Sequence, residues 1–237
     1  MRHERALAPD AHDAQTPAPG DLRLEGVEVR APDGRAILSV EHLEVPAGAA
    51  LGIQGPSGAG KSTLLHAISG LVPVAAGRVT WGATDLAPLP EAARDAFRRR
   101  TLGLIFQDFL LLEELSPLDN AAVAAAWAPR AERAAIRARA AGLLSRFGAP
   151  SARSVSGLSG GERQRVAAAR ALACDPAAIL ADEPTASLDR ANADRLVADL
   201  LSAARERGRT VIAVSHDPAL MAAMDRVIQV VDGRVRQ

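Results

Sequence analysis

The sequence predicts an α/β fold: a phosphate-loop core with a mostly parallel sheet, an antiparallel β flank in front of it and an α-helical insertion in the middle. Three observations carry that reading. From residue 50 onward, short apolar strands alternate with helices, which is the pattern of a parallel sheet with crossover helices. A glycine-rich loop, "GPSGAGKS" (55–62), falls where a strand gives way to a helix. Between 108 and 156 the chain turns Ala- and Leu-rich and reads as helices.

Taken in order, residues 1–20 are charged and Pro/Ala-rich with no apolar core segment, and are expected to be a disordered lead-in and not a signal peptide. A single domain is expected over 21–237. "LRLEGVEVR" and "AILSVEHLEVPAG" alternate apolar and polar residues and predict antiparallel strands joined at "APDG". "ALGIQG" predicts a buried strand, and "KSTLLHAISGLV" a helix with Leu64, Leu65 and Ile68 on one face. A strand and turn at "GRVTWGATDL", a polar helix at "PEAARDAFRRRT" and an apolar strand at "LGLIFQ" follow. Helices over 108–156 are expected to break at Pro117, Pro129 and Pro150. The remainder predicts helix "GERQRVAAARALACD", strand "AAILADE", helix "NADRLVADLLSAARERG", strand "TVIAVSH", a short helix "PALMAAM" and a hairpin "RVIQVVDGRVRQ".

Composition narrows the function class. With 48% hydrophobic and 24% charged residues over 237 positions, the chain can bury a full core. Its formal net charge is zero, so nothing points to nucleic acid or an anionic bilayer as the main partner. One cysteine, Cys174, excludes an internal disulfide and a thiolate metal cluster and fits a reducing compartment. No uncharged apolar run approaches the roughly 18 residues that a membrane span needs. The expected location is the cytoplasm.

The glycine-rich loop carries the first chemistry. Gly55, Pro56, Ser57, Gly58, Ala59, Gly60, Lys61 and Ser62 fit G-x-x-x-x-G-K-[ST], and Thr63 continues into the helix. Such a loop turns its backbone N–H groups inward as a nest for phosphate oxygens, and the helix behind it adds its positive end. Ser62 offers a hydroxyl to Mg²⁺. Lys61 is the only lysine among 28 basic residues. A slim stem bearing one compact charge can thread back over the crowded loop to the β- and γ-phosphates, whereas a planar guanidinium demands bidentate room.

Two adjacent acids carry the second. "AAILADEP" ends an apolar strand in Asp182 and Glu183, and side chains alternate along a strand, so the two point different ways. One can serve a Mg²⁺ shell while the other faces an attacking water, the division that phosphoryl transfer to water requires. His216, after "TVIAVS", lies at a strand end from which it could reach a γ-phosphate.

"LSGGERQRVAAARAL" (158–172) places a glycine pair and the helix-capping Ser159 ahead of a helix bearing Arg163, Arg165 and Arg170, a second anion-binding geometry. This stretch resembles the signature motif of ABC-transporter ATPase subunits. From about 22 to 236 the chain follows that family's order: phosphate loop, Gln107 in "IFQD", "LSGGE", "ILADEP", "SLD" and "VSHD". The resemblance implies ATP and Mg²⁺ as ligands and a dimer that closes head to tail, each ATP lying between one subunit's phosphate loop and the other's Ser159, Gly160, Gly161 and Glu162. It implies that Ser62, Gln107 and Asp182 attend Mg²⁺. Glu183 would be the base, His216 the γ-phosphate contact and Asp189 the link across the dimer. It also implies a membrane permease as partner on the inner face of the cell membrane, bound by a homodimer or heterodimer of ATPase subunits.

Glu162 stands where Gln is commoner in the wider family, and "LSGGERQRVA" is similar to the lipoprotein-releasing and macrolide-exporter branch. Where the family places an aromatic for adenine, this chain offers Arg30 and Ala31; Arg30 could stack on a base or stay a solvated strand residue. Phe106, Phe109 and "LLLEELS" could grip a membrane subunit or pack as core. Two other functions remain open in the sequence: a cell-division-type mechanotransmitter, and a soluble ATPase acting on DNA or ribosomes. Against the second, the span between phosphate loop and signature shows neither heptads nor cysteines, and the chain holds one copy of each motif.

Overall fold

A computed structural model describes residues 20–150 and 154–236, so the lead-in, Gly20 excepted, and residues 151–153 lie outside the described residues. The chain opens with β1 (Leu22–Arg30) and β2 (Ala36–Val45), then β3 (Ala50–Gln54), α1 (Lys61–Ile68), β4 (Ala76–Trp81), β5 (Thr84–Asp85), α2 (Glu91–Thr101) and β6 (Leu102–Ile105). Helical segments follow: α3 (Pro117–Ala121), a 3₁₀ turn at Val123–Ala126 and α4 (Arg130–Arg146). After a second 3₁₀ turn at Val155–Gly157 come α5 (Gly160–Ala173), β7 (Ala178–Asp182), α6 (Arg190–Arg205), β8 (Thr210–Val214), α7 (Pro218–Ala222), β9 (Arg226–Val231) and β10 (Arg234–Arg236).

The strands form one sheet in the order β5-β4-β1-β2-β10-β9-β3-β8-β7-β6. Strands β9, β3, β8, β7 and β6 run parallel to one another, while β1, β2, β4 and β5 make the antiparallel flank. The terminal hairpin joins the two parts: β10 is antiparallel to β9 and pairs with β2 in parallel at Arg234 and Ser39.

Strand alternation divides the apolar residues between two cores. Ala178 and Leu180 of β7, with Ile212 and Val214 of β8, face a cluster containing Leu64, Leu65 and Ile68 of α1 and the inner residues of β1 and β2. Ile179, Ala181, Val211 and Ala213 face the opposite cluster with α3, α4, α5, α6 and α7. Leu64 and Ile68 are 0% and 1% exposed, and each side chain of this size contributes roughly 1.5–3 kcal/mol when buried. The indole of Trp81 donates to the Ile68 carbonyl (2.8 Å), closing the C-terminal end of α1.

Pro117 and Pro129 begin helices where the sequence suggested breaks. Pro117 occupies the first turn of α3, where its missing N–H costs nothing, behind Ser116, whose hydroxyl accepts from the Asp119 N–H (3.1 Å). Pro129 stands at the N-terminal boundary of α4. α6 starts two residues before its expected "NADRL" because Asp189 caps it through the Asn192 N–H (3.0 Å).

Candidate active site

The phosphate loop rests on the terminal hairpin. Gly55 has φ 148°, and a Cβ there would lie 2.0 Å from the Val230 carbonyl oxygen of β9. The Gly233 N–H at the hairpin turn donates to the buried Ala59 carbonyl (3.0 Å). The buried Lys61 curls back over the loop and donates from Nζ to the Gly55 and Pro56 carbonyls at 2.8 and 2.9 Å. Its slender stem thus follows the path expected of it. Gly60 precedes α1 in a left-handed conformation with no side-chain cap, so the first N–H groups of the helix face the loop's interior.

A cleft of about 780 Å³ opens at the C-terminal ends of β3, β7 and β8. Ser57, Gly58, Gly60, Lys61, Ser62 and Thr63 line it from one side, and Gln107, Asp182, Glu183 and His216 from the other. Parallel strands converge their C-terminal ends on one sheet edge, which is why residues distant in sequence meet here.

Asp182 ends β7 and is 7% exposed; its Oδ1 is buried with no hydrogen-bond partner. A buried acceptor without a donor costs about 1–3 kcal/mol, and a cation would satisfy it. The oxygen donors sharing that cleft, the Ser62 hydroxyl, the Gln107 amide and the Asp182 carboxylate, are the hard set that suits Mg²⁺. Next in the chain, Glu183 adopts φ 47°, unusual for a side chain of its size. Its N–H donates to the Val214 carbonyl (2.9 Å), and this turn lifts its carboxylate from β7 toward the strand beside it. There Oε2 accepts from the Ser215 hydroxyl (3.2 Å) and the His216 N–H (3.4 Å), while Oε1 lies 3.7 Å from His216 Nε2.

Ser159, Gly160, Gly161 and Glu162 do not line this cleft. They open α5 with a capping box: Ser159 Oγ accepts from the Glu162 N–H (3.3 Å), and Glu162 Oε2 accepts from the Ser159 N–H (2.8 Å). The turn packs on the loop of "SLD", where a Cβ at Gly161 would come 2.8 Å from Leu188 Cδ2. Asp189 is exposed and accepts from the Asn192 N–H and, at 2.6 Å, from its Nδ2; these bonds hold its carboxyl below the usual range. The predicted residues therefore form two groups, one in the cleft and one on the exposed signature turn.

Sequence reasoning missed the braces around the cleft. Ser215 is fully buried, and its hydroxyl both donates to Glu183 and accepts from the Asp217 N–H (3.0 Å). Asp217 also accepts from Arg190 Nη1 (2.8 Å), tying the start of α6 to the loop of His216. "VSHD" could have drawn attention to both neighbours of His216. Arg30, in contrast, lies outside the cleft lining: it pairs with Glu28 (2.9 Å) and donates to the Gly34 carbonyl (3.2 Å) within its own hairpin.

With this geometry in view, comparison with known proteins decides the family. Residues 38–186 match the family model described as ABC transporter. The chain belongs to the ABC transporter family. It is an ATP-hydrolysing cassette of that family, the kind of subunit that energises membrane transporters. It is 44% identical over 225 residues to the Fe(3+) ions import ATP-binding protein FbpC of Streptomyces coelicolor, covering 92% of this chain but 62% of that protein. It is 42% identical over 202 residues to the lipoprotein-releasing system ATP-binding protein LolD of Syntrophotalea carbinolica, covering 84% of this chain and 88% of that one. Among solved structures, the dimeric bacterial ABC transporter cassette MJ0796 superposes with a TM-score of 0.83 at 32% identity, over 91% of this chain and 97% of that one. A post-hydrolysis dimer of the same cassette, bound to ADP and Pi, superposes at 0.81 with 31% identity over the same shares. Among the described residues no helix is long and apolar enough to cross a membrane.

Proposed function

We propose that two such subunits close head to tail on two ATP molecules and hydrolyse them to drive an integral-membrane permease of lipoprotein-releasing or exporter-like kind. The observation that carries the site assignment is the orphaned Oδ1 of Asp182 beside the braced carboxylate of Glu183. Ser62, Gln107 and Asp182 would hold Mg²⁺, which when bound neutralises charge between the phosphates. Lys61 and the loop amides hold the phosphates. Glu183 takes the proton of the attacking water: its Oε2 is fixed by Ser215 and the His216 N–H, which leaves Oε1, 3.7 Å from His216 Nε2, as the oxygen to accept it. His216 contacts the γ-phosphate, and Ser159 and Gly161 complete the partner's site, with Asp189 at the seam between subunits.

The permease face is the surface that carries Leu110, Leu112 and Trp127, exposed by 57%, 48% and 72%. Leu110 and Leu112 follow Gln107 by three and five residues, and apolar groups of this size left in water support docking of a partner there. The subunit then works from the cytoplasmic side, peripheral to the membrane. A second reading has one specific support: the relative at 44% identity is named as an import protein. A membrane pull-down with the Glu183→Gln variant, ATP and Mg²⁺, read by mass spectrometry, tests both. Recovery of a permease with a large extracytoplasmic domain supports the proposal, an importer permease favours the second reading, and ribosomes or DNA would sink both.

A further inference from the structure

Arg170, on the signature helix, makes contacts that the site described above leaves unused. Its guanidinium donates to the Leu110 carbonyl from Nη1 (2.5 Å) and to the Phe109 carbonyl from Nη2 (2.6 Å). Those two residues follow Gln107 closely, and both hold left-handed backbone, at φ 59° for Phe109 and 49° for Leu110. Consecutive bulky residues avoid that region unless something outside the loop holds them there. The loop's own bonds are short-range: Phe109 N–H to the Phe106 carbonyl (3.2 Å) and Leu110 N–H to the Asp108 carbonyl (2.6 Å). Arg170 is the restraint from outside. Desolvation lowers its pKa from the ordinary value, so burying this charge is costly unless the fork is satisfied, and two carbonyls satisfy it.

One residue further along, the same helix is locked to the strand that leads into Gln107. A Cβ at Gly103 of β6 would lie 2.3 Å from the Ala171 carbonyl oxygen. Strand and loop are thus fastened on both sides of Gln107 to one short piece of α5. The other end of that helix is the capped turn at Ser159, about 16 Å away at 1.5 Å per residue.

We propose that Arg170 is a positioning residue that fixes the loop after Gln107 to the signature helix, so that the Gln107 amide and the Ser159 turn move as one body. A subunit's own metal site and the turn it offers to its partner's nucleotide are then mechanically joined through this guanidinium. The inference rests on the reading of Gln107 as a metal-site residue, and deepens it. Only a planar fork can hold two successive carbonyls, so Lys at this position recovers one bond of the two.

The test is ATP turnover by the full chain as a function of ATP and Mg²⁺, for wild type, Arg170→Met, Arg170→Lys and each of these combined with Gln107→Ala. Arg170→Met is expected to lower kcat about 10-fold and to raise the half-saturating Mg²⁺ concentration, since small displacements of a positioned group cost this much or more. KM for ATP and Mg²⁺-free nucleotide binding should stay within about two-fold because the phosphate loop is untouched. Arg170→Lys should fall between the two. In the Gln107→Ala background, the same Arg170 changes should add less than about two-fold, the non-additivity of residues acting as a unit. Full additivity would overturn the proposal, as would a loss of Mg²⁺-free nucleotide binding that matches the loss of kcat. Should Arg170→Met not fold, the Arg170→Lys arms carry the same comparison. Wild-type turnover indifferent to Gln107→Ala would instead overturn the metal-site reading, before any Arg170 variant is made.

Discussion

Two helices, α1 and α5, begin on glycine-flanked turns, and their first turns are finished in opposite ways. α1 starts after Gly60 with no side-chain cap and no acid in its first turn. α5 starts after Ser159 with a complete capping box and the Glu162 carboxylate over its end. The unpaired N–H groups and positive end of α1 remain available for phosphate. At α5, Glu162 Oε2 occupies both the Ser159 N–H and, at 2.9 Å, the Ser159 hydroxyl. A turn that must hold its ligand alone keeps its donors open. The turn proposed to complete a neighbour's site is satisfied by its own side chains, and engaging it would mean exchanging those bonds for new ones.

The comparison predicts that cleft variants fail within one subunit, while signature variants fail only between subunits. The largest effect belongs to Glu183→Gln, which removes the proposed base but keeps the bonds from Ser215 and the His216 N–H. Turnover should fall by about 10²–10⁴ while nucleotide binding persists, so size-exclusion chromatography with ATP should show dimer accumulating. Undiminished turnover would remove Glu183 from its role. Next comes Lys61→Met, which deletes the charge folded over Gly55 and Pro56. A lost charge-assisted contact of about 1.5–3 kcal/mol corresponds to roughly 10- to 150-fold weaker ATP binding. Fluorescence titration at a concentration where the chain is monomeric reads this directly, and unaltered affinity would break the contrast with α5.

Much of this arrangement was legible in the sequence because each motif is local. Loop, strand-end acids and capped signature turn each lie within one short run, where spacing alone dictates backbone or face. Fold class was legible for the same reason, since alternation marks strands and the helical period marks helices. What was not legible joins residues far apart. Arg170 meets Phe109 and Leu110, Arg190 meets Asp217, and β10 inserts between β2 and β9; no local pattern reports such pairings. Pro129 does separate a 3₁₀ turn from α4, whereas Pro117 opens α3 behind the capping Ser116; a proline that ends one helix and one that begins the next look alike until the cap is considered. The fate of Arg30 was open for want of its partner: Glu28 and the Gly34 carbonyl take its guanidinium.

The signature turn offers a finer test. Ser159→Ala removes the cap, which costs about 0.5–2 kcal/mol of stability, and should weaken ATP-dependent dimerisation while leaving nucleotide binding by the monomer unchanged. Glu162→Gln keeps the box but removes a negative charge from the turn proposed to meet the partner's nucleotide. Dimerisation should strengthen by a few-fold, since a like charge is removed from beside the partner's phosphates. Analytical ultracentrifugation with the Glu183→Gln background separates the two, and an effect of either change on monomer binding would contradict the division drawn above.

The smallest effect concerns how the helical segment is held to the rest. Arg146 at the end of α4 donates to both carboxylate oxygens of Glu206, just past α6, at 3.0 and 2.8 Å, and the Ser202 hydroxyl adds a third bond at 2.8 Å. Arg146 first, then Ser202, lowers the Glu206 pKa from 4.5 to about 2. A carboxylate depressed on folding adds stability above its unfolded pKa and loses it as pH falls through the folded one. The contribution is therefore complete above pH 4.5 and gone near pH 2. Because the pair faces solvent, screening keeps it small. Glu206→Gln should lower Tm by about 1–3 °C at neutral pH, with the gap to wild type closing as the pH is lowered across that window. A gap of constant size down to pH 2 would mean that the charge of Glu206 contributes nothing and that only its shape ties α4 to α6.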